Sequence, residues 1–104
     1  MESNNMEEQG KKLEIVVDEN VASGTYVNLA FVNHSPDEFT MDFIYIPPNS
    51  PKAKLNARII SSPSHTKRFL MALSENIRRY EEKFGEIDVK QAMPPKYPEG
   101  AGHA

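Results

Sequence analysis

The clearest pattern in the chain is a set of apolar residues at helical spacing between Pro63 and Phe84. In order, these residues are Leu70, Leu73, Ile77, Tyr80 and Phe84. The intervals alternate between three and four residues, which is typical of a narrow heptad seam that packs on one slender partner. The pattern therefore predicts a long helix whose seam contacts a strip of sheet or a second helix.

The predicted helix has clear boundary signals. Ser62 is suited to the N-cap, Pro63 to the first helical position, and Gly85 to the position that ends the helix. A helix of this length spans ~33 Å, which exceeds the length of a strand of eight or nine residues. We therefore expect its last turns to extend beyond the sheet and to form an oligomer interface. The predicted interface residues are Leu73, Ile77, Tyr80 and Phe84.

Four segments before the helix show the alternation and the β-branched composition of strands. They span residues 13–18, 25–33, 38–46 and 53–61. Turn residues separate them, and Pro47, Pro48 and Pro51 make the last connection a loop. The predicted fold class is α+β, an antiparallel four-stranded β-sheet followed by one long C-terminal α-helix (ββββα). Residues 1–12 and 93–104 are predicted to be disordered or flexible tails around a single domain of residues 13–92.

The last two strands predict a hairpin whose paired residue numbers sum to about 100. Asp42 then faces Arg58, and Phe43 faces Ala57, so an acid meets a base on one face. The predicted core face is Val27, Leu29, Phe31, Phe39, Met41, Phe43, Leu55 and Ile59. The predicted second face is apolar in patches and includes Val16, Ala30, Val32, Ile44, Ile46 and Ile60. A sheet with two apolar faces indicates packing between subunits or a surface for apolar protein segments.

Charge is segregated along the chain. Residues 13–51 carry six acids and no lysine or arginine, whereas residues 52–79 carry seven bases and one acid. Either the two halves neutralise each other within the sheet, or a basic face stays open for an anionic partner such as single-stranded nucleic acid. The candidate residues for that partner are Lys52, Lys54, Arg58, Lys67 and Arg68. The strand aromatics are predicted on the core face, so the stacking platform such a partner needs is missing.

Composition narrows the chemistry. The chain has 104 residues and a formal charge of −3. It has no cysteine, so thiolate chemistry and cysteine-bound metals are excluded. His34, His65 and His103 lack partners at metal-ligand spacing, and no nucleophilic triad or phosphate loop is present. We therefore expect no catalysis, no metal and no cofactor. The absence of a signal peptide and of a long apolar run predicts a cytoplasmic protein without a membrane segment.

Residues 26–85 resemble a known family of small bacterial and archaeal proteins, domain of unknown function 3467. The resemblance is carried by the run Ser35-Pro36-Asp37-Glu38-Phe39 and by Lys83-Phe84-Gly85 at the helix end. It implies a cytoplasmic protein and supplies no catalytic residues. The predicted order of strands and helix also resembles the SecB export chaperone and the Pur-alpha repeat, although neither family's functional motifs are present. The sequence therefore predicts a non-catalytic homo-oligomeric protein-binding module of the SecB-like holdase type, with Pur-alpha-like binding of single-stranded nucleic acid as the alternative.

Overall fold

The computed structural model describes residues 2–8 and 11–89 of the chain. Its elements are β1 (Glu2–Glu8), β2 (Lys11–Val17), α1 (Glu19–Ala22), β3 (Leu29–His34), β4 (Phe39–Tyr45), β5 (Lys54–Ser61) and α2 (Pro63–Phe84). The predicted α+β class, with antiparallel strands followed by one long helix, is confirmed.

The strands form two sheets rather than the single four-stranded sheet that was predicted. β3, β4 and β5 make a three-stranded antiparallel meander, and β1 pairs with β2 in a separate antiparallel hairpin. The first predicted strand, now β2, therefore finds its partner before it in the chain and not in the sheet that follows. The sheet of the domain has two edges, β3 and β5.

Residues 1–12 were predicted as a disordered tail, whereas the structure places residues 2–8 and 11–12 in strands. The sequence of β1, Glu-Ser-Asn-Asn-Met-Glu-Glu, has one apolar residue and no β-branched residue. Its strand comes from pairing with β2, whose Leu13 lies opposite Met6, so the local composition carries little signal. The predicted tail over residues 93–104 lies outside the described residues.

α2 begins and ends where the sequence predicted, at Pro63 and Phe84. The Ser62 side chain accepts a hydrogen bond from the His65 amide at 3.1 Å, which satisfies one of the unpaired N–H groups of the first turn. Gly85 follows the last helical residue with φ 98°, and its amide donates to the Glu81 carbonyl at 3.0 Å. Because a side chain at this φ would be strained, glycine fixes the helix end here.

The predicted hairpin register is confirmed at its centre. Asp42 pairs with Arg58 and Phe43 pairs with Ala57. The register then shifts between Phe43 and Ile44, so that Ile44 lies opposite Leu55. Such a bulge places one extra residue on one strand and turns the following side chains to the other face. Here the shift moves Leu55 off the face on which Met41 and Phe43 lie, so the prediction that Leu55 belongs to the core face is wrong.

The two faces of the three-stranded sheet differ from the predicted ones at β3. We call the face that carries Val32, Phe39, Met41, Phe43 and Ile59 the helix-side face. The other, called the opposite face, carries Leu29, Phe31, Thr40, Asp42, Ile44, Leu55, Arg58 and Ile60. Leu29 and Phe31 were predicted on the core face with Met41, and Val32 on the second face, and both predictions are wrong.

The register of β3 is fixed by Asn28, which precedes the strand. Its side-chain amide donates to the Ile46 carbonyl at 3.0 Å, and its side-chain oxygen accepts from the Ile46 amide at 2.8 Å. The Asn28 backbone amide also donates to the Ile44 carbonyl at 3.0 Å. The side chain thus extends the β3–β4 ladder beyond the last paired backbone residue, which determines the side of the sheet to which Leu29 points.

We expect the substitution Asn28→Ala to destabilise the protein by about 1 kcal/mol, because it removes two hydrogen bonds to backbone groups in a solvent-accessible position. Asn28→Asp keeps the acceptor but sets a carboxylate oxygen against the Ile46 carbonyl oxygen, so it should destabilise the protein at least as much as Asn28→Ala. Urea midpoints measured for the three proteins check the order. Equal midpoints for Asn28→Ala and the parent would show that the two side-chain bonds contribute nothing.

The chain by itself has a very small core. Among the residues whose burial the structure describes, Thr40, Met41 and Asp42 are buried, and Met41 is the single apolar residue of the three. A domain of this size normally buries well over half of the surface that its unfolded chain exposes. The helices and strands are in place, but most of their apolar side chains are open to solvent.

Candidate interaction surface

One face of α2 is an apolar stripe along its length. The stripe consists of Phe69, Leu70, Leu73, Ile77, Tyr80 and Phe84. Each of these side chains is 41–65% exposed. At 100° per residue they fall within a sector of about 100°, the width of a helical packing face. The sequence predicted this seam, and the described part of the chain leaves it largely uncovered.

The C-terminal end of the stripe is aromatic. The rings of Tyr80 and Phe84 lie 4.9 Å apart between centroids, and the Lys83 ammonium lies 5.5 Å from the centre of the Phe84 ring. The Ile87 amide donates to the Glu81 carboxylate at 3.0 Å, which brings the segment after the helix back beside it. Asn76, Ile77, Arg79, Tyr80 and Ile87 line a shallow depression of about 550 Å³. Two aromatic rings beside an open depression form a large surface for contact at the helix end.

The N-terminal end of α2 lies next to the helix-side face of the sheet. A hollow of about 230 Å³ between them is lined by Met41, Phe43, Ile59, Ser61, His65 and Phe69. Leu70 and Leu73, the next two residues of the stripe, are 59% and 44% exposed. The exposed part of the stripe therefore begins before the predicted interface, at Leu70 rather than at Leu73.

The outer face of α2 is a solvated charged surface. Arg78 bridges Glu75 at 2.7 Å and Glu82 at 2.6 Å, one turn away on either side. The hydrogen bond from Arg78 lowers the pKa of Glu75 below its usual value, with the positive charge of Arg78 as the second cause. The bridge therefore supports the helix above the usual glutamate pKa and is lost as the pH falls through the lowered value. These exposed pairs stabilise the helix only modestly.

Arg58, one of the five candidate anion-binding residues, is paired with Asp42. Its Nε and Nη2 atoms donate to the two carboxylate oxygens of Asp42 at 2.7 and 2.9 Å, a bidentate arrangement. The Asp42 side chain is 1% exposed and the Arg58 side chain 36%. This pair joins the acidic and basic halves of the chain, as the neutralising interpretation predicted. The hydrogen bond and the charge of Asp42 raise the pKa of Arg58.

The structure does not bring the candidate basic residues together on one face. Lys54 lies opposite Tyr45 on the helix side, whereas Arg58 lies opposite Asp42 on the other side, because of the bulge between them. Lys67 and Arg68 lie on α2, and Lys52 precedes β5. Phe31 was expected among the core aromatics, but it is on the opposite face with Arg58. One aromatic residue and one paired arginine do not make a stacking groove for bases.

Two further surfaces carry exposed apolar side chains. On the opposite face of the sheet, Ile60 is 56% and Leu55 45% exposed. On the hairpin, Leu13 and Ile15 share one face of β2 and are each about two-fifths exposed. Ile60 therefore lies on the apolar second face, as predicted, and Leu55 lies there as well. Ala30 and Val32, which were predicted on that face, lie on the helix-side face.

A second depression, of about 580 Å³, was not anticipated from the sequence. It is lined by Tyr26, Asn28, Tyr45, Ile46, Pro47 and Pro48. Tyr26 and Tyr45 meet edge to face with centroids 6.0 Å apart. Tyr26 lies before β3 and Tyr45 at the end of β4, so no sequence spacing connects them. The hydrogen bonds of Asn28 to Ile44 and Ile46 bring their two segments together.

In the described part of the chain, no group of three or more histidine, aspartate or glutamate side chains is placed to hold a metal ion. His34 stacks near Phe39, with 5.4 Å between ring centres.

Within residues 2–8 and 11–89, no helix combines the length and the apolar character needed to cross a bilayer.

Comparison with known proteins and protein families identifies a family for this chain. No curated protein and no solved structure matches the chain. A match to a protein family covers residues 1–89, which include all seven helices and strands described above. The chain belongs to the family described as Protein of unknown function (DUF3467).

Proposed function

We propose that this protein is a non-catalytic, homo-oligomeric protein-binding module of the cytoplasm, in which the apolar stripe of α2 forms the contact between subunits. The observation that carries the proposal is the stripe, six apolar side chains in one row that the described chain leaves 41–65% exposed. A helix with such a face gains most of its stability from packing it against a partner.

The size of the stripe supports a contact between proteins. At the exposures given above, its side chains present on the order of 500 Å² of apolar surface, near the upper limit for an ordinary monomer. A stable protein–protein contact takes about 800 Å² from each partner. The stripe alone supplies more than half of that area, and the residues that flank it add to the contact. The three buried residues of the described chain leave a single copy with too little core to be stable alone.

Binding of a second protein, as a holdase binds an unfolded chain, is supported by the opposite face of the sheet. Ile60 and Leu55 are exposed there, and Ile60 lies on the edge strand β5. An extended apolar segment can pair with such an edge and place alternate side chains on the apolar face. This surface is separate from the α2 stripe, so self-association and client binding do not compete for it.

Binding of single-stranded nucleic acid through Lys52, Lys54, Arg58, Lys67 and Arg68 receives less support from the geometry. These residues are spread over both faces of the sheet and over α2. Arg58 uses two of its donors on Asp42. A basic groove that follows a phosphate backbone needs its cations in one row.

We expect the protein, at stoichiometric amounts, to suppress the aggregation of reduced lysozyme, measured by light scattering. Ile60→Ser should reduce this effect several-fold, because it removes an exposed apolar side chain from the proposed client surface. Val21→Ser is the matched control, since Val21 is also highly exposed but lies on α1. Undiminished aggregation with the parent protein, or strong salt-dependent binding of a labelled oligothymidylate, would favour the nucleic-acid alternative or another role.

A further inference from the structure

The residues that flank the apolar stripe are ordered in a way that specifies how a second copy packs. One flank carries Lys67, Ser74 and Glu81, each seven residues from the next. Seven residues are nearly two helical turns, so these three side chains lie in one line along α2. A base stands at the N-terminal end of this line, an acid at the C-terminal end, and a small polar residue at its centre.

The other flank has the same spacing and a different order. It begins at Phe69, which is also the edge of the stripe, and continues through Asn76 and Lys83. The seam between the two flanks carries Leu70 and Leu73 in the first half and Ile77 and Tyr80 in the second half. Leu70 and Tyr80 are both five residues from Glu75, and Leu73 and Ile77 are both two residues from it. These four seam positions are therefore symmetric about Glu75, and Phe84 extends the seam beyond them at the C-terminal end of α2.

In an antiparallel pair of identical helices, each flank meets the same flank of the other helix in reverse order. If the two-fold axis crosses the helix pair at the level of Glu75, Lys67 of one copy lies opposite Glu81 of the other, and this contact occurs twice. Ser74 then lies opposite Ser74, and Asn76 opposite Asn76, so small or neutral residues meet at the axis. On the other flank, Lys83 lies opposite the ring of Phe69, which suits a cation–π contact.

The apolar layers close in the same alignment. Leu70 packs against Tyr80 of the second copy, and Leu73 packs against Ile77 of the second copy, giving four layers across the axis. A parallel pair would instead bring Asn76 next to Glu81 and Phe69 next to Ser74, with no pairing of opposite charges on α2. It would also align the two helix dipoles unfavourably, whereas the antiparallel pair opposes them.

We infer that two copies of this chain associate through an antiparallel α2–α2 pair centred at Glu75, with Lys67 of each copy paired to Glu81 of the other. This inference rests on the proposed self-association and adds its geometry. The N-terminal turns of α2 already lie near their own sheet at Phe69, so the pair joins the two sheets through a shared helical layer.

The first test is a charge exchange. Lys67→Glu and Glu81→Lys should each weaken the dimer about tenfold at low salt, because each replaces two attractive pairs with two repulsive ones. The double variant Lys67→Glu/Glu81→Lys should recover parent affinity, and an equimolar mixture of the two single variants should form a heterodimer. Analytical ultracentrifugation measures all four proteins.

The expected loss of dimer affinity is opposite in sign to the effect of these substitutions on the isolated helix, which they should stabilise slightly. A glutamate near the N-terminus and a lysine near the C-terminus both suit the helix dipole, so the single variants should not unfold α2. Glu81→Lys also removes the bond from the Ile87 amide, and this loss would persist in the double variant. Recovery in the double variant therefore reports the charge pair alone, and an additive loss would overturn the inference.

The second test measures direction. The chain has no cysteine, so a nitroxide label can be placed on Ser74→Cys or on the matched control Ser64→Cys. In the antiparallel pair the two labels at position 74 lie close to the two-fold axis. The two labels at position 64 are instead separated by ~33 Å along the direction of the helices. In a parallel pair the two labels at either position stand at the same level along the helices, so neither distance would contain this separation.

The outcomes separate the geometry from the proposed function. A short distance at position 74 and a long one at position 64 supports the antiparallel pair. Short distances at both positions, or long distances at both in a protein that sediments as a dimer, would overturn the inference and leave self-association intact. A monomer in the ultracentrifuge would overturn both.

Discussion

Replacing Ile77 with aspartate is expected to weaken the proposed dimer at least about 100-fold and to leave a monomer. Ile77 lies in the middle of the apolar stripe and is 41% exposed in a single copy. In a symmetric contact the substitution enters the interface twice, so two carboxylates would lose water without gaining a partner. Sedimentation velocity over a range of concentrations measures the change directly.

The matched control is Met71→Asp on the same helix. Met71 is 63% exposed and lies away from the stripe on the outer face of α2. The same apolar-to-acid change there should leave the dimer unaffected, because the aspartate stays in water. Equal loss of association in both variants would mean that added charge or helix loss, rather than the stripe, determines the oligomeric state.

The second large effect is expected at the centre of the sheet, where Asp42→Ala should destabilise the protein by about 2–3 kcal/mol. Asp42 is 1% exposed and accepts two hydrogen bonds from Arg58. Removing one partner of a buried ion pair costs about 3–5 kcal/mol, and the partial exposure of Arg58 reduces the penalty. Thermal unfolding should show a loss of 10 °C or more, because a domain of this size shifts by about 4–8 °C per kcal/mol.

Asp37→Ala is the control for this prediction, since Asp37 lies in the exposed turn between β3 and β4. It should change the unfolding temperature little.

The pKa of Arg58 is raised by Asp42, so the stabilisation tied to that arginine is fully present below the usual arginine pKa and is lost only as the pH rises through the raised value. The effect of Asp42→Ala should thus persist throughout the neutral range, and a parent-like unfolding temperature would contradict it.

The helix was predictable because its determinants are local. Ser62, Pro63 and Gly85 each act within one turn of the helix end, and the apolar spacing requires only a single helix. The hairpin centre was predictable for a similar reason, since Asp42 and Arg58 are close in sequence and oppositely charged. Local chemistry of this kind is visible without the rest of the chain.

The sheet faces were not predictable at β3 or after the bulge. The face to which Leu29 points depends on Asn28 pairing with Ile46, eighteen residues away. The face of Leu55 depends on a one-residue register shift. Because strand side chains alternate, an error of one residue reverses a whole strand. The strand β1 was missed because its partner, rather than its own composition, makes it a strand.

The candidate interface was predictable as a pattern but not in extent. The seam from Leu73 to Phe84 follows from spacing alone, whereas the exposure of Leu70 and Leu73 depends on how little of α2 reaches its own sheet. The basic residues illustrate the opposite case. Their clustering in sequence indicated a surface, and the register separates Lys54 from Arg58.

The central claim is that the folded chain needs a second copy to cover α2. Sedimentation equilibrium of the unmodified protein tests this claim most directly. We expect a mass of twice 11.8 kDa at micromolar concentration, with helical circular dichroism that falls on dilution as the dimer dissociates. A mass of 11.8 kDa at about 100 μM, with full helicity and cooperative unfolding, would contradict the claim, because an interface of the proposed size should associate at that concentration.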